Sequence, residues 1–235
     1  MKKIILLFAS VTILASSVST EKAEAQELLA SLNLEVGVPV GPFKDQLDEI
    51  GFGLGGMVGI MLPETPLVVG LDLGFMTFGT DRRRTRLSSD IPDLTVTVEN
   101  SYNMFHGHFL TRITSRNAAF RPYAEGLVGL NYLWTQTDVR SNVGSDEAVF
   151  SDTNFDDFAF SYGVGGGVQA RIFNARGAGG LRAVYLNIQG RYMFGGEAEY
   201  LRPGAIEIRD GEAIYSPERS ETNLLNFQIG IGITM

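Results

Sequence analysis

The sequence predicts an all-β chain folded as an eight-stranded antiparallel up-and-down transmembrane β-barrel, and three observations predict it. Eight segments alternate apolar and polar residues with a period of two. Short turn-forming connections alternate with longer polar ones. The polar lane of the alternation is mostly Gly, Asn and Gln, with almost no lysine. Successive strand side chains point to opposite faces, so a sustained period of two places all the apolar residues on one face.

Taken in order, the chain opens with Lys2 and Lys3, an apolar run from Ile4 to Ala15, and Ala23-Glu24-Ala25 before Gln26. That is the grammar of a cleaved secretory signal, so residues 1–25 are expected to be a signal peptide and 26–235 the barrel domain. No later segment approaches the roughly 20 continuous apolar residues of a membrane helix, so membrane insertion has to be by strands.

In the first strand Leu32, Leu34, Val36 and Val38 alternate with Ser31, Asn33, Glu35 and Gly37. In the second Phe52, Leu54, Val58, Ile60 and Leu62 alternate with Gly53, Gly55, Met57, Gly59 and Met61. The third sets Val69, Leu71, Leu73 and Phe75 against Gly70, Asp72, Gly74 and Met76. The fourth, about 94–110, is the least regular, with Phe105, Gly107 and Phe109 outward. The fifth places Val128, Leu130, Tyr132 and Trp134 opposite Glu125, Leu127, Gly129 and Asn131. In the sixth Phe158, Phe160, Tyr162, Val164, Val168 and Ile172 oppose Ala159, Ser161, Gly163, Gly165, Gly167, Gln169 and Arg171. The seventh sets Leu186, Ile188, Tyr192 and Phe194 against Asn187, Gln189 and Arg191. The eighth sets Leu225, Phe227, Ile229, Ile231 and Ile233 against Asn226, Gln228, Gly230, Gly232 and Thr234. As the end of the chain, this last strand is expected to close on the first.

Pro63-Glu-Thr-Pro66, the segment near Ser115–Asn117, and 174–180 read as turns. The connections at 41–50, 79–93, 138–156 and 196–222 read as loops, with both termini on the short-turn side. Within the last loop, Asp210-Gly211 between two β-prone runs predicts a hairpin.

Alternation alone also fits a soluble lipocalin-like barrel with its apolar side inward. The composition of the polar lane separates the two. A water-exposed face would carry many charged residues, yet Lys44 is the only lysine after the leader, and it falls in a loop. Small polar residues suit the interior that eight strands leave just wide enough for side chains. The lumen network is therefore expected to comprise Glu35, Asp72, Glu125, Gln169, Arg171, Asn187, Gln189, Arg191, Asn226 and Gln228, with Glu125 and Arg171 as the leading ion pair. A filled lumen disfavours the alternative of a small-solute or hydrophobic-ligand pore.

The chain has no cysteine, so an exported protein must be held by its hydrogen-bonded ladder, and thiol catalysis is excluded. Lys plus Arg number 19 against 27 Asp plus Glu, or 16 against 25 without the leader, which excludes nucleic acid as a natural partner. Gly51-Phe-Gly-Leu-Gly-Gly56 matches a dinucleotide fingerprint, but it lies within one alternating strand and no helix follows, so no cofactor is expected. His106-Gly-His108 puts two imidazoles on one strand face. No third ligand is evident in the sequence, and lumen-facing polar residues are expected rather than a metal site. Ser101 differs from both histidines in parity, so no Ser-His-acid arrangement forms and no catalytic residue is expected. Arg82, Arg83, Arg84 and Arg86 form a basic cluster that could meet lipopolysaccharide phosphates.

Gly37-Val-Pro-Val-Gly41, Arg121-Pro-Tyr-Ala-Glu-Gly126, Arg191-Tyr-Met-Phe-Gly-Gly-Glu-Ala-Glu-Tyr200 and the terminal strand resemble the outer-membrane β-barrel proteins, OmpX-like or OmpA-barrel-like, of Bacteroidota-type bacteria. The resemblance implies the outer-membrane barrel fold and says little of activity. With no catalytic constellation and both termini on the short-turn side, the chain is expected to be a non-enzymatic integral barrel, monomeric in outer-membrane lipid and lipopolysaccharide, with periplasmic termini. The resemblance also implies recognition by the barrel-assembly machinery through the last strand. The family's usual C-terminal aromatic is replaced here by Met235.

Overall fold

Strands form wherever the alternation finds a ladder partner. The structure is a computed structural model describing residues 27–86, 95–116, 118–141, 148–174, 180–200, 206–209, 212–215 and 218–235. Of residues 80–86, 95–100, 137–141, 148–155, 200, 206–209, 212–215 and 218 it describes the backbone only. The expected leader, 1–25, lies outside the described residues.

The first seven barrel strands are β1 (Glu27–Pro39), β2 (Gly51–Met61), β3 (Leu67–Arg86), β4 (Thr95–Thr114), β5 (Phe120–Ser141), β6 (Ala148–Asn174) and β7 (Ala183–Gly195). Four short strands follow in the last connection, β8 (Glu197–Tyr200), β9 (Ile206–Arg209), β10 (Glu212–Tyr215) and β11 (Glu218–Glu221), before the final barrel strand β12 (Leu224–Thr234). The barrel closes in the order β1-β12-β7-β6-β5-β4-β3-β2, every neighbour antiparallel. The last strand closes on the first as expected, from Leu29 opposite Thr234 to Pro39 opposite Leu224. Backbone bonds between Leu28 and Met235 extend the seam to the chain end. Closure removes both sheet edges and pairs the whole ladder internally.

At the far end the connections depart from the expected loops. Backbone pairing runs on through Arg86 opposite Thr95 and Arg140 opposite Ala148, so much of 79–93 and 138–156 is strand. Hydrophobic alternation stops where an apolar face is no longer needed, whereas a hydrogen-bonded ladder needs only two facing backbones; periodicity therefore underestimates these strands. In the last connection β8 pairs with β11. Inside it β9 pairs with β10, the hairpin expected around Asp210-Gly211.

The apolar face points outward. Phe109 is 70% exposed and Leu32 67%, whereas Arg112 and Asp72, on the opposite parity of β4 and β3, are 1% exposed. On the outer surface Tyr132 stacks on Trp134 and lies against Phe158, while Tyr162 stacks on Phe194.

The interior is filled in storeys. At the mouth away from the termini, the short helix α1 (Pro42–Gln46) folds in from the β1–β2 connection. Gly41, at φ 60, turns the chain into it, and Pro42 has the backbone angle a first helical turn requires. Phe43 is fully buried, its ring edge-on to Phe78 at 5.8 Å, above Met76, Tyr102, Met104 and Leu133. At the other end Arg121 donates to Glu27 Oε1 from both terminal nitrogens and to the Ser115 carbonyl, with Tyr185 beneath its guanidinium. Between these floors lies a belt of charged and amide side chains.

Candidate functional site in the lumen

Eight strands leave a lumen whose inward side chains meet across it, so residues far apart in sequence become direct partners. Arg191, on β7, donates from Nη1 and Nη2 to Asp72 Oδ1 and Oδ2 on β3, at 2.8 and 2.9 Å. Its Nε donates to Glu125 Oε1 on β5 at 2.6 Å. Glu125 Oε2 accepts from Arg112 on β4, at 2.9 Å from Nε and 2.7 Å from Nη2. The planar guanidinium fork suits such bidentate bridging, in which two cations tie two acids.

Amides continue the chain. Arg112 Nη2 reaches Gln189 Oε1 at 3.4 Å, Gln189 Nε2 donates to Gln228 Oε1, and Gln228 Nε2 donates to Glu35 Oε1 at 2.9 Å. Asn226 Nδ2 donates to Glu35 Oε2 at 3.3 Å. Tyr123, lying under the Arg112 guanidinium at 3.9 Å, has one hydroxyl proton to share between Asn187 Oδ1 and Gln189 Oε1, both within hydrogen-bond reach. Asn187 in turn donates to Asn33 at 3.0 Å. The polar chain thus runs from Asp72 through Arg191, Glu125, Arg112, Gln189 and Gln228 to Glu35. Its two ends meet at His106, whose Nε2 lies 3.5 Å from Asp72 Oδ1 and 3.7 Å from Glu35 Oε1.

Of the residues expected in the lumen, Glu35, Asp72, Glu125, Gln169, Asn187, Gln189, Arg191, Asn226 and Gln228 are buried. Gln169 stands apart from the chain, with its Oε1 unpartnered among the described residues. The expected pair of Glu125 with Arg171 does not form. Glu125 lies opposite Gly165 in the ladder, six residues from Arg171, about 20 Å along the strand. Arg171 sits half-buried at a register shift near the turn end, and Arg112 and Arg191 take Glu125 instead. Sequence reasoning missed Arg112, Tyr123 and Asn33 as network members, and the Glu27–Arg121 pair below them. The signal was available: Arg112 shares parity with His106 and His108, Arg121 and Tyr123 with Glu125, Asn33 and Glu27 with Glu35. Arg82, Arg83, Arg84 and Arg86 lie on the extension of β3, and their side chains fall outside the description.

The glycines of 51–56 lie within β2, as the alternation requires. No hydroxyl approaches either histidine among the bonds of the described residues, and His106 faces acids on two sides. The site can hold charge and fix the barrel's cross-section.

No protein-family model matches the chain, and no curated protein matches it in sequence. Among solved structures the chain is similar to Neisserial surface protein A at 11% identity and a TM-score of 0.40, covering 92% of this chain and 99% of that one. It is also similar to a major outer membrane protein from Thermus thermophilus, at 12% identity and a TM-score of 0.41 over 88% and 99% of the two chains. Ail, the attachment invasion locus protein of Yersinia pestis, is similar at 12% identity and a TM-score of 0.35, over 91% and 100%.

Proposed function

We propose that the protein is an integral, non-enzymatic barrel of the bacterial outer membrane, serving the envelope or presenting its far-end connections at the cell surface. The observation that carries this reading is the inversion of its faces: large apolar side chains outward all around the barrel, and charged and amide groups within. Water would penalise that belt of exposed Leu, Ile, Val and Phe, whereas hydrocarbon stabilises it. A closed ladder is one of the two forms of backbone that lipid tolerates. The termini and short turns share one end, which the reading places in the periplasm, with β3 to β6 projecting outside. Lipid and lipopolysaccharide are then the surrounding partners, the assembly machinery acts during biogenesis, and the barrel works as a monomer.

The reading is tested by washing membranes with carbonate or urea. Retention in the outer-membrane fraction is expected, and release as a soluble protein would overturn it in favour of a soluble barrel. A conduit is disfavoured by the stacked storeys of Phe43, the ionic belt and the Glu27–Arg121 floor.

A further inference from the structure

The polar chain of the lumen has one open joint, at His106, and beside it lies a group that the chain does not use. His108 is 4% exposed, and neither of its ring nitrogens has a hydrogen-bond partner among the described residues. The two imidazoles are tilted toward each other with ring centroids 5.4 Å apart. In the β3–β4 ladder His108 lies opposite Asp72, so the third ligand that the sequence did not reveal comes from the neighbouring strand. One ligand atom from each of Asp72, His106 and His108 can be chosen so that all lie within 4.8 Å of one another.

We propose that Asp72, His106 and His108 bind a transition-metal dication of the zinc class inside the barrel, with Glu35 beside it. Two ligand atoms each about 2.1 Å from a tetrahedral zinc lie about 3.4 Å apart. The separations of His106 Nε2 from Asp72 Oδ1 and Glu35 Oε1, 3.5 and 3.7 Å, are longer than hydrogen bonds and close to that spacing. Gly74 keeps the space clear: a Cβ there would stand 2.5 Å from His106 Nε2 and 3.0 Å from Glu35 Oε1. Arg191, forked onto Asp72, is the outer partner that orients a ligating carboxylate, able to keep one oxygen while the metal takes the other.

Charge points the same way. Among the described residues, Glu35, Asp72 and Glu125 face only Arg112 and Arg191 within the belt, leaving one acid without an arginine. A proton on His106 would supply that charge but would leave both nitrogens of His108 idle; a metal engages both rings. Two imidazoles and a carboxylate favour zinc, copper or nickel over calcium or magnesium. With Phe43 closing the mouth, the ion enters as the strands close. The site is structural, tying β3 to β4.

The test is to refold the barrel in detergent with zinc and remove free metal by desalting. About one zinc per folded chain is expected to be retained, with a raised unfolding temperature. His108→Gln is expected to lower zinc affinity at least about tenfold while the protein still folds. A folded parent that retains no zinc, or a folded His108→Gln protein that retains as much as the parent, would overturn the proposal. Should that variant fail to fold, the parent loaded with cobalt decides: the intense visible bands of tetrahedral cobalt support the site, and a weak octahedral spectrum overturns it. The readout is metal in a refolded barrel, so it stands or falls separately from membrane residence.

Discussion

Arg191 is the residue on which the lumen turns, because among the described residues it is the one side chain bonded to both Asp72 and Glu125. Removing one partner of a buried ion pair leaves its acid desolvated and uncompensated, a penalty of about 3–5 kcal/mol. Arg191→Met strands Asp72 and leaves Glu125 with Arg112 as its remaining cation, so a loss within that range is expected, read as unfolding free energy by urea titration in lipid vesicles. Arg219→Ala is the control: its pair with Glu197 is well exposed, and a change within about 0.5 kcal/mol is expected. Equal losses in the two variants would mean that the lumen network does not stabilise the fold. Gly53 argues the same tightness by shape. A Cβ there would meet the Phe75 carbonyl oxygen at 2.1 Å, backbone that cannot rotate aside, whereas a Cβ at Gly126 meets nothing within 4 Å. Gly53→Ala is expected to abolish or severely slow refolding and Gly126→Ala to leave it unchanged, followed by the heat-modifiable band shift on electrophoresis.

At the scale of elements, the apolar-faced parts of the strands were legible because a two-residue period carries its own face assignment. Leu32, Phe109, Phe160 and Ile229 all point outward, as the pattern requires. The upper extensions of β3, β5 and β6, which fall in the expected loops 79–93 and 138–156, were not legible: mostly polar on both faces, they offer little period to read, and the facing backbone reveals them. Register was the other gap. Alternation says which face a residue takes but not how far a neighbouring strand is staggered, so Glu125 and Arg171 shared a face without meeting, while Asp72 came to lie opposite His108. Helix α1 was also missed, since five residues carry too little periodicity to stand out. It makes a prediction of its own. Phe43→Ala empties the mouth against Phe78 and is expected to cost about 3–5 kcal/mol, as for large-to-small aromatic changes in packed cores. The belt of Asp72, Glu125 and Arg191 beneath still closes the lumen. Planar-bilayer recording of Phe43→Ala is therefore expected to show no discrete conductance, and ion-sized steps would mean that the helix alone seals a pore.

The whole molecule is an inverted solid, and that inversion can be measured. On β12 the outward apolar residues run from Leu225 to Ile233, an interval that spans about 20 Å along the barrel axis at 3.3 Å per residue and the usual strand tilt. Ile229 is at the middle of this run, half exposed, opposite Leu34 on one side and Ile188 on the other. A cation at that depth of a barrel's lipid face costs about 2–4 kcal/mol, falling to about 0–1 near the interfaces. Ile113, next to the end of β4, is equally apolar and 58% exposed but close to the turn rim. In vesicles Ile229→Arg is expected to lose about 2–4 kcal/mol of unfolding free energy and Ile113→Arg about 0–1. A barrel standing in water would respond without depth dependence: an arginine on an exposed apolar belt would leave stability unchanged and raise solubility at both positions. The difference between the two positions measures depth, which neither general surface hydrophobicity nor strand propensity can imitate. Arg at position 229 costing no more than Arg at 113 would place the belt in water.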